Sequence, residues 1–245
     1  FTPPPRTRQG AWTAWELVDG QQLDPRSVQV PGFAIDRTEV TREAYQRFLL
    51  ATGYRPPHVD EDWAREGGWN WQGTDFPEGS GQEPVVLVSW NDARAYCRWA
   101  GKRLPLEAEW QLAALGSDGR SYPWGASYDG GRLNHGQLDA PNTDDSDGFE
   151  WLAPVGSFPE GRSPSGLDDA FGNAWEFTDD WRVEDWSLYE GLRTTGPGLY
   201  VAVRGGSYYF DLSGHTGGER HRFLAEIRRK TAGFRCARDL EPGEG

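Results

Sequence analysis

The sequence predicts one large, irregular domain in which short helices and short strands are set among long, anchored turns. Its 245 residues show no internal repeat and no linker, a length that suits a single irregular domain. The 32 Gly and 17 Pro argue for fixed turns rather than a helical bundle. Low mean hydropathy would by itself suggest disorder. Against that, 13 Trp, 9 Tyr and 11 Phe supply rings large enough to anchor long loops.

The elements follow in order. Residues 1–30, rich in Pro, Arg and Gln, read as an extended arm with a short strand at 15–18. A strand is expected at 33–35. Thr41 can cap a helix over 43–51 that turns Tyr45, Phe48 and Leu49 to one side. Residues 53–83 read as a loop whose Trp63, Trp69 and Trp71 either pack as a satellite core or line a groove. An apolar strand is expected at 85–88. Ser89 and Asp92 then stand in capping-box spacing for a helix through Trp99, with Ala93, Tyr96, Cys97 and Ala100 on its inner face. Gly101 ends that helix. Pro105 opens the next, with Glu107 in its first turn and Trp110, Ala113 and Ala114 inside. Mostly turns follow from 116 to 171. Late strands are expected at 176–178, 201–204 and 234–237, separated by a polar, Arg-rich stretch at 208–231.

Composition excludes several classes of function. The formal net charge is -13, a poor basis for binding nucleic acid or an anionic membrane. No apolar run approaches the ~18 residues of a membrane span. No signal peptide is visible, and a chain that begins at Phe1 reads as a processed or trimmed form. Cys97 and Cys236, the only cysteines, are either buried thiols or one bridge. A bridge closing so long a loop has a chain-entropy value of about 5 kcal/mol.

Four kinds of chemistry can be weighed on residue type and spacing. Asn134 and His135 stand before Asp147 and Phe149, and Asp169 and Glu176 bracket a tight Gly turn. Oxygen donors of this kind suit calcium, although Asx turns and helix caps use the same residues. The four histidines, His58, His135, His215 and His221, form no zinc or iron motif, but His215 and His221 could converge with Glu219. No serine has an evident base partner, and Cys236 lies near Arg235 and Arg238. Arg204, Arg220, Arg222, Arg228, Arg229 and Arg235 gather late in an acidic chain. They either make structural ion pairs or, with Tyr208, Tyr209, His215 and His221, line a polar cleft for a small molecule or peptide.

Several motifs together resemble the formylglycine-generating enzyme (sulfatase-modifying factor) family. They include Glu39-Val40-Thr41, Ala95-Tyr96-Cys97, Gly101-Lys102-Arg103-Leu104-Pro105, Glu107-Ala108-Glu109-Trp110 and Tyr122-Pro123-Trp124-Gly125. The most telling are Gly172-Asn173-Ala174-Trp175-Glu176, Arg204-Gly205-Gly206-Ser207-Tyr208 and Gly233-Phe234-Arg235-Cys236. The resemblance implies an α+β fold of low regular secondary structure, related to C-type lectin folds, as a single domain over 31–245. It implies two structural calcium ions. One would be held by Asn134, the His135 carbonyl, Asp147 and the Phe149 carbonyl. The other would be held by Asp169, the Gly172 and Ala174 carbonyls, and Glu176. It also implies a Cys97–Cys236 disulfide and hence an oxidising compartment, periplasmic or otherwise exported.

The departures from the family pattern direct the functional expectation. Catalytic members carry two copper-binding cysteines after the Gly-Gly-Ser-Tyr motif; here Phe210 occupies the first position and His215 falls near the second. Copper-thiolate oxidation of a sulfatase cysteine is therefore not expected. Branches of the family without these cysteines include an inactive paralogue, retroelement-diversified display proteins and a branch that matures the siderophore pyoverdine. The leading expectation is an exported enzyme that oxidises the dihydro chromophore of a siderophore precursor, small-molecule or peptide. His215 or His221 would act as base, Arg222 as anion holder and Tyr208 as stacking or proton-donating group. Its electrons would pass to oxygen or to a cofactor that no motif specifies. The alternative is a non-catalytic, lectin-like module that binds a ligand or a protein.

Overall fold

The computed structural model describes residues 11–14, 17–18, 21–22, 26–137, 143–182 and 200–240. Its N-terminal segment forms two antiparallel ladders. β1 (Ala11–Ala14) pairs with β4 (Arg26–Gln29), and β2 (Leu17–Val18) pairs with β3 (Gln21–Gln22). Of the strand expected at 15–18, residues 17 and 18 form β2, and residues 15 and 16 lie outside the described residues. β5 (Phe33–Ile35) then pairs antiparallel with β10 (Ala237–Asp239), which joins the two ends of the described domain.

Local caps set the helices. α1 (Arg42–Thr52) begins where the Thr41 side chain accepts a hydrogen bond from the Ala44 N–H at 3.1 Å and ends on Gly53, whose φ of 66° is left-handed. The following loop contains one short helix, α2 (Asp62–Glu66). Trp71 is buried against α1 and Trp69 packs on a smaller core, whereas Trp63 is exposed. α3 (Trp90–Trp99) opens on the expected Ser89/Asp92 capping box. α4 (Glu107–Leu115) starts at Glu107 rather than at Pro105. The Glu109 carboxylate accepts the Leu106 N–H at 2.8 Å, so the capping group lies inside the helix.

Two expected strands differ in the structure. Residues 85–88 are fully buried but do not form a strand. Leu87 adopts φ 58°, which breaks the pleat, and Val85 and Leu87 donate to two different segments, at Val40 and Arg229. Of the strand expected at 234–237 only Ala237 is strand, the first residue of β10; residues 234–236 lie between β9 (Ala232–Gly233) and β10. The residues between them bond singly to separate partners: Val40 donates to the Phe234 carbonyl and Asp36 to that of Cys236.

The central sheet has the order β8–β7–β6–β9. β7 (Tyr200–Arg204) runs antiparallel to both of its neighbours, β6 (Trp175–Arg182) and β8 (His221–Leu224), and β9 runs parallel to β6. Tyr45, Phe48, Tyr96, Phe177 and Phe234 pack between this sheet, α1 and α3. A second core joins Trp110 and the alanines of α4 to β5. The Cys97–Cys236 disulfide lies wholly buried in the first core, with Cα atoms 5.6 Å apart. It ties the end of α3 to the segment entering β10.

Candidate functional site

β7 is followed by Gly205 and Gly206, with φ of 96° and 80°. A Cβ on Gly206 would lie 2.8 Å from Leu212, so only glycine lets the following loop fold back against the strand end. That return leaves a cavity of about 160 Å³ beside β6 and β8. Phe171, Trp175, Phe210 and Leu212 form its apolar walls. His215, Glu219, Arg220 and His221 supply its charged and titratable groups.

The polar groups are held from behind. His215 Nδ1 lies 2.6 Å from Glu219 Oε2, and the other Glu219 oxygen accepts the Thr216 N–H at 3.2 Å. This fixes the imidazole by one nitrogen and leaves Nε2 as the second site for a proton. The His215 side chain is 51% exposed, so solvent or a ligand can reach it. His221 packs beside Trp175, ring centroids 5.3 Å apart. Arg220 is ion-paired to Glu107 of α4, which also accepts from the fully buried Arg204 at 3.1 Å. Arg204 in turn donates to Gln111 at 2.8 Å. Burial lowers the Arg220 guanidinium to about 10, so it remains charged at neutral pH.

The structure brings His215, His221 and Glu219 together but does not bring Arg222 or Tyr208 to them. Arg222 follows His221 on β8, and neighbouring residues of a strand point to opposite faces. Its guanidinium lies 5.4 Å from the Tyr200 ring instead. Tyr208 is fully buried, its hydroxyl 3.4 Å from the Lys230 carbonyl and its ring stacked on Trp69. Burial raises its phenol well above the usual range, opposite to what proton donation requires. Sequence reasoning passed over Phe171 and Trp175 as cavity walls. It weighed Arg220 only as one of a cluster; the pairing with Glu107, far away in the chain, is what singles it out.

The two oxygen-donor sets adjoin each other. Gly172 has φ 95°, and a Cβ there would lie 2.3 Å from the Asn134 carbonyl oxygen, so glycine is required for the contact. Asn173 donates to Glu39 at 3.1 Å and accepts from Asn134 at 3.1 Å and from the Ala153 N–H at 3.0 Å. In the first set, both Asp147 oxygens accept backbone N–H groups, from His135 at 2.8 Å and Phe149 at 2.9 Å. Asn134 Oδ1 is buried without a hydrogen-bond partner. In the second set, burial pushes Asp169 up to about 6 and pushes Glu39 well above the usual carboxylate range. Glu39 Oε2 is likewise buried and unpartnered. Glu39, Asp169 and Glu176 face a single guanidinium, Arg235.

Among the described residues no three His, Cys, Asp or Glu side chains gather as a ready metal cluster; the expected sets rely on carbonyls as well. Glu176 already accepts from Arg235 and Trp110, and a cation would share oxygens that retain further lone pairs. An orphaned amide oxygen in one set and surplus buried carboxylates around the other fit a hard divalent cation.

Comparison with known proteins shows the family and the fold. The sulfatase-modifying factor enzyme 1-like domain matches residues 8–240. The formylglycine-generating enzyme of Mus musculus is 33% identical over 258 residues, covering 89% of this chain and 68% of the mouse protein. The inactive Cα-formylglycine-generating enzyme 2 of the same organism is 37% identical over 190 residues, covering 62% of this chain and 59% of its own length. The structure of PvdO from Pseudomonas aeruginosa superposes with a TM-score of 0.75 and 24% identity, covering 97% of this chain and 94% of PvdO. The domain match over nearly the whole chain and the 33% identity to the mouse enzyme show that this chain, whose two cysteines are joined in one disulfide, belongs to the sulfatase-modifying factor enzyme 1-like family.

Proposed function

We propose that the chain is an exported enzyme of pyoverdine siderophore maturation that oxidises the dihydro chromophore of its precursor in the cavity beside β6 and β8. One observation carries the reading: an aromatic-walled cavity holds the His215–Glu219 pair, 2.6 Å apart, near the position at which the family resemblance implies a second cysteine. The sole thiol pair is spent in the disulfide, so the wall offers proton transfer in place of thiolate chemistry. Phe210 and Trp175 would stack the ring system. His215, oriented by Glu219, would take a ring or phenolic proton. Conversion removes two protons and two electrons, and dioxygen would accept both to leave hydrogen peroxide. The buried disulfide supports an oxidising compartment.

Two calcium ions complete the proposal. The first would be held by Asn134, the His135 carbonyl, Asp147 and the Phe149 carbonyl. The second would be held by Asp169, the Gly172 and Ala174 carbonyls, and Glu176. They would supply charge that supports the fold, with no part in electron transfer.

The test is aerobic incubation of the purified protein with the dihydro precursor, followed by chromophore absorbance and peroxide assay. Conversion should stop without oxygen. H215N should retain precursor binding while the rate falls about 100-fold, the lower end of general-base effects. Tight binding without product would establish a lectin-like binding module instead. An unchanged rate in H215N would remove His215 from the chemistry.

A further inference from the structure

The chain has two lysines, and the structure treats them differently. Lys102 is ion-paired to Asp36. Lys230 has aromatic rings around it instead. Its ammonium lies 4.6 Å from the Trp151 ring centre, 4.8 Å from that of Tyr209 and 5.7 Å from that of Trp69. Among the described residues no carboxylate pairs with it and no acceptor takes its N–H groups, although acidic residues outnumber basic ones by 38 to 25. Ring faces attract the charge but do not replace the directed acceptors an ammonium's three donors require.

The rings come from three separate parts of the chain, which makes the arrangement a built one. Trp69 and Trp151 meet edge to face at 5.6 Å, and the Tyr208 hydroxyl secures the Lys230 backbone carbonyl. Trp151 remains 38% exposed, so a planar group can reach it. The surface continues towards the cavity. Tyr209 and Phe210 ring centres are 6.0 Å apart, those of Phe210 and Trp175 6.2 Å, and those of Trp175 and His221 5.3 Å.

We infer that Lys230, with Trp69, Trp151 and Tyr209, is an anion-recognition subsite that takes the carboxylate of an aromatic ligand. The carboxylate accepts from the ammonium while the attached ring lies against Trp151. Burial lowers the ammonium's pKa from its ordinary value, and an arriving anion reverses that shift. The subsite requires no turnover at His215, so it stands or falls separately from the proposed oxidation.

The probes are naphthalene-2-carboxylate and its amide, which share a ring and differ in charge. Protein labelled with ¹³C-lysine gives two side-chain Cε signals, with Lys102 as the internal control. The carboxylate should move the Lys230 signal saturably and leave Lys102 in place, and the amide should bind about tenfold more weakly, the loss of one charge-assisted hydrogen bond. K230M, which keeps an unbranched chain among the rings, should lose the preference for carboxylate. K230R should retain it. Equal binding of the two probes, a shift confined to Lys102, or no shift up to millimolar probe would overturn the assignment. Should K230M fail to fold, the wild-type probe pair and K230R decide the matter.

Discussion

Glu176 and Arg235 are each fully buried, and between them they gather distant parts of the chain. Arg235 grips the carboxylate through Nε at 2.6 Å and Nη2 at 2.7 Å, and it donates to the carbonyls of Asp36, Arg37 and Asp168. Trp110 of α4 adds an indole donor at 2.7 Å. Removing a buried charge that leaves its partner unmatched costs about 3–5 kcal/mol. R235M should therefore lower the urea midpoint by the equivalent of that range, and E176Q should lower it less, because Glu39 and Asp169 still face Arg235. A shift worth less than about 1 kcal/mol, the scale of a surface pair, would show that the pair is not what holds these segments. Both residues sit in motifs visible in the sequence, but their union does not show there: Arg235 belongs to Gly233-Phe234-Arg235-Cys236 and Glu176 to the tight Gly turn, far apart in the chain.

At the scale of elements, the N-terminus of α3 is both a cap and a hub. Ser89 donates to the Asp92 carboxylate through its N–H at 2.8 Å and its hydroxyl at 2.9 Å. The same carboxylate accepts from Arg55 and the Tyr54 hydroxyl at 3.1 Å and pairs with Arg228. One aspartate thus fixes the helix start, the loop after α1 and the turn after β8. S89A should cost about 1 kcal/mol, the usual value of a lost cap. D92A should cost about 3–5 kcal/mol because it strands charge as well. Equal effects in thermal denaturation would reduce Asp92 to a cap alone. The capping spacing was legible because it is local, as was the inner face of α3 at Ala93, Tyr96 and Cys97, although Ala100 caps the helix and is exposed. The absence of a strand at 234–236 was not, since it depends on Asp36, Val40 and Arg103 as partners. The same limit applies to the site. His215 was legible from its place after Gly-Gly-Ser-Tyr. The separation of Arg222 from His221 needed the strand β8, and the burial of Tyr208 needed Trp69 from the loop after α1.

At the scale of the molecule, the fold keeps an excess of acid inside as well as outside. The net charge is -13, and Asp169 and Glu39 are buried beside Glu176 with one guanidinium between them. The consequence for stability has a definite sign. Burial raises Asp169 from 3.8 to about 6, so the folded state holds this proton more tightly than the unfolded chain. Its contribution is complete below about 4 and is lost as pH rises through about 6. A bound calcium ion favours the ionised form and works in the opposite direction. Chelated protein should therefore melt at a falling temperature between about pH 4 and pH 7, relative to D169N, which has no proton to lose. Calcium should restore the wild type at pH 7 and stabilise D169N less, through the first oxygen set alone, by the mass-action stabilisation that any ligand of the native state provides. Scanning calorimetry of both proteins, with calcium and with chelator, separates these outcomes. A wild type whose melting at pH 7 ignores the chelator would remove calcium from the second oxygen set and leave Arg235 as the sole counter-charge to three buried carboxylates.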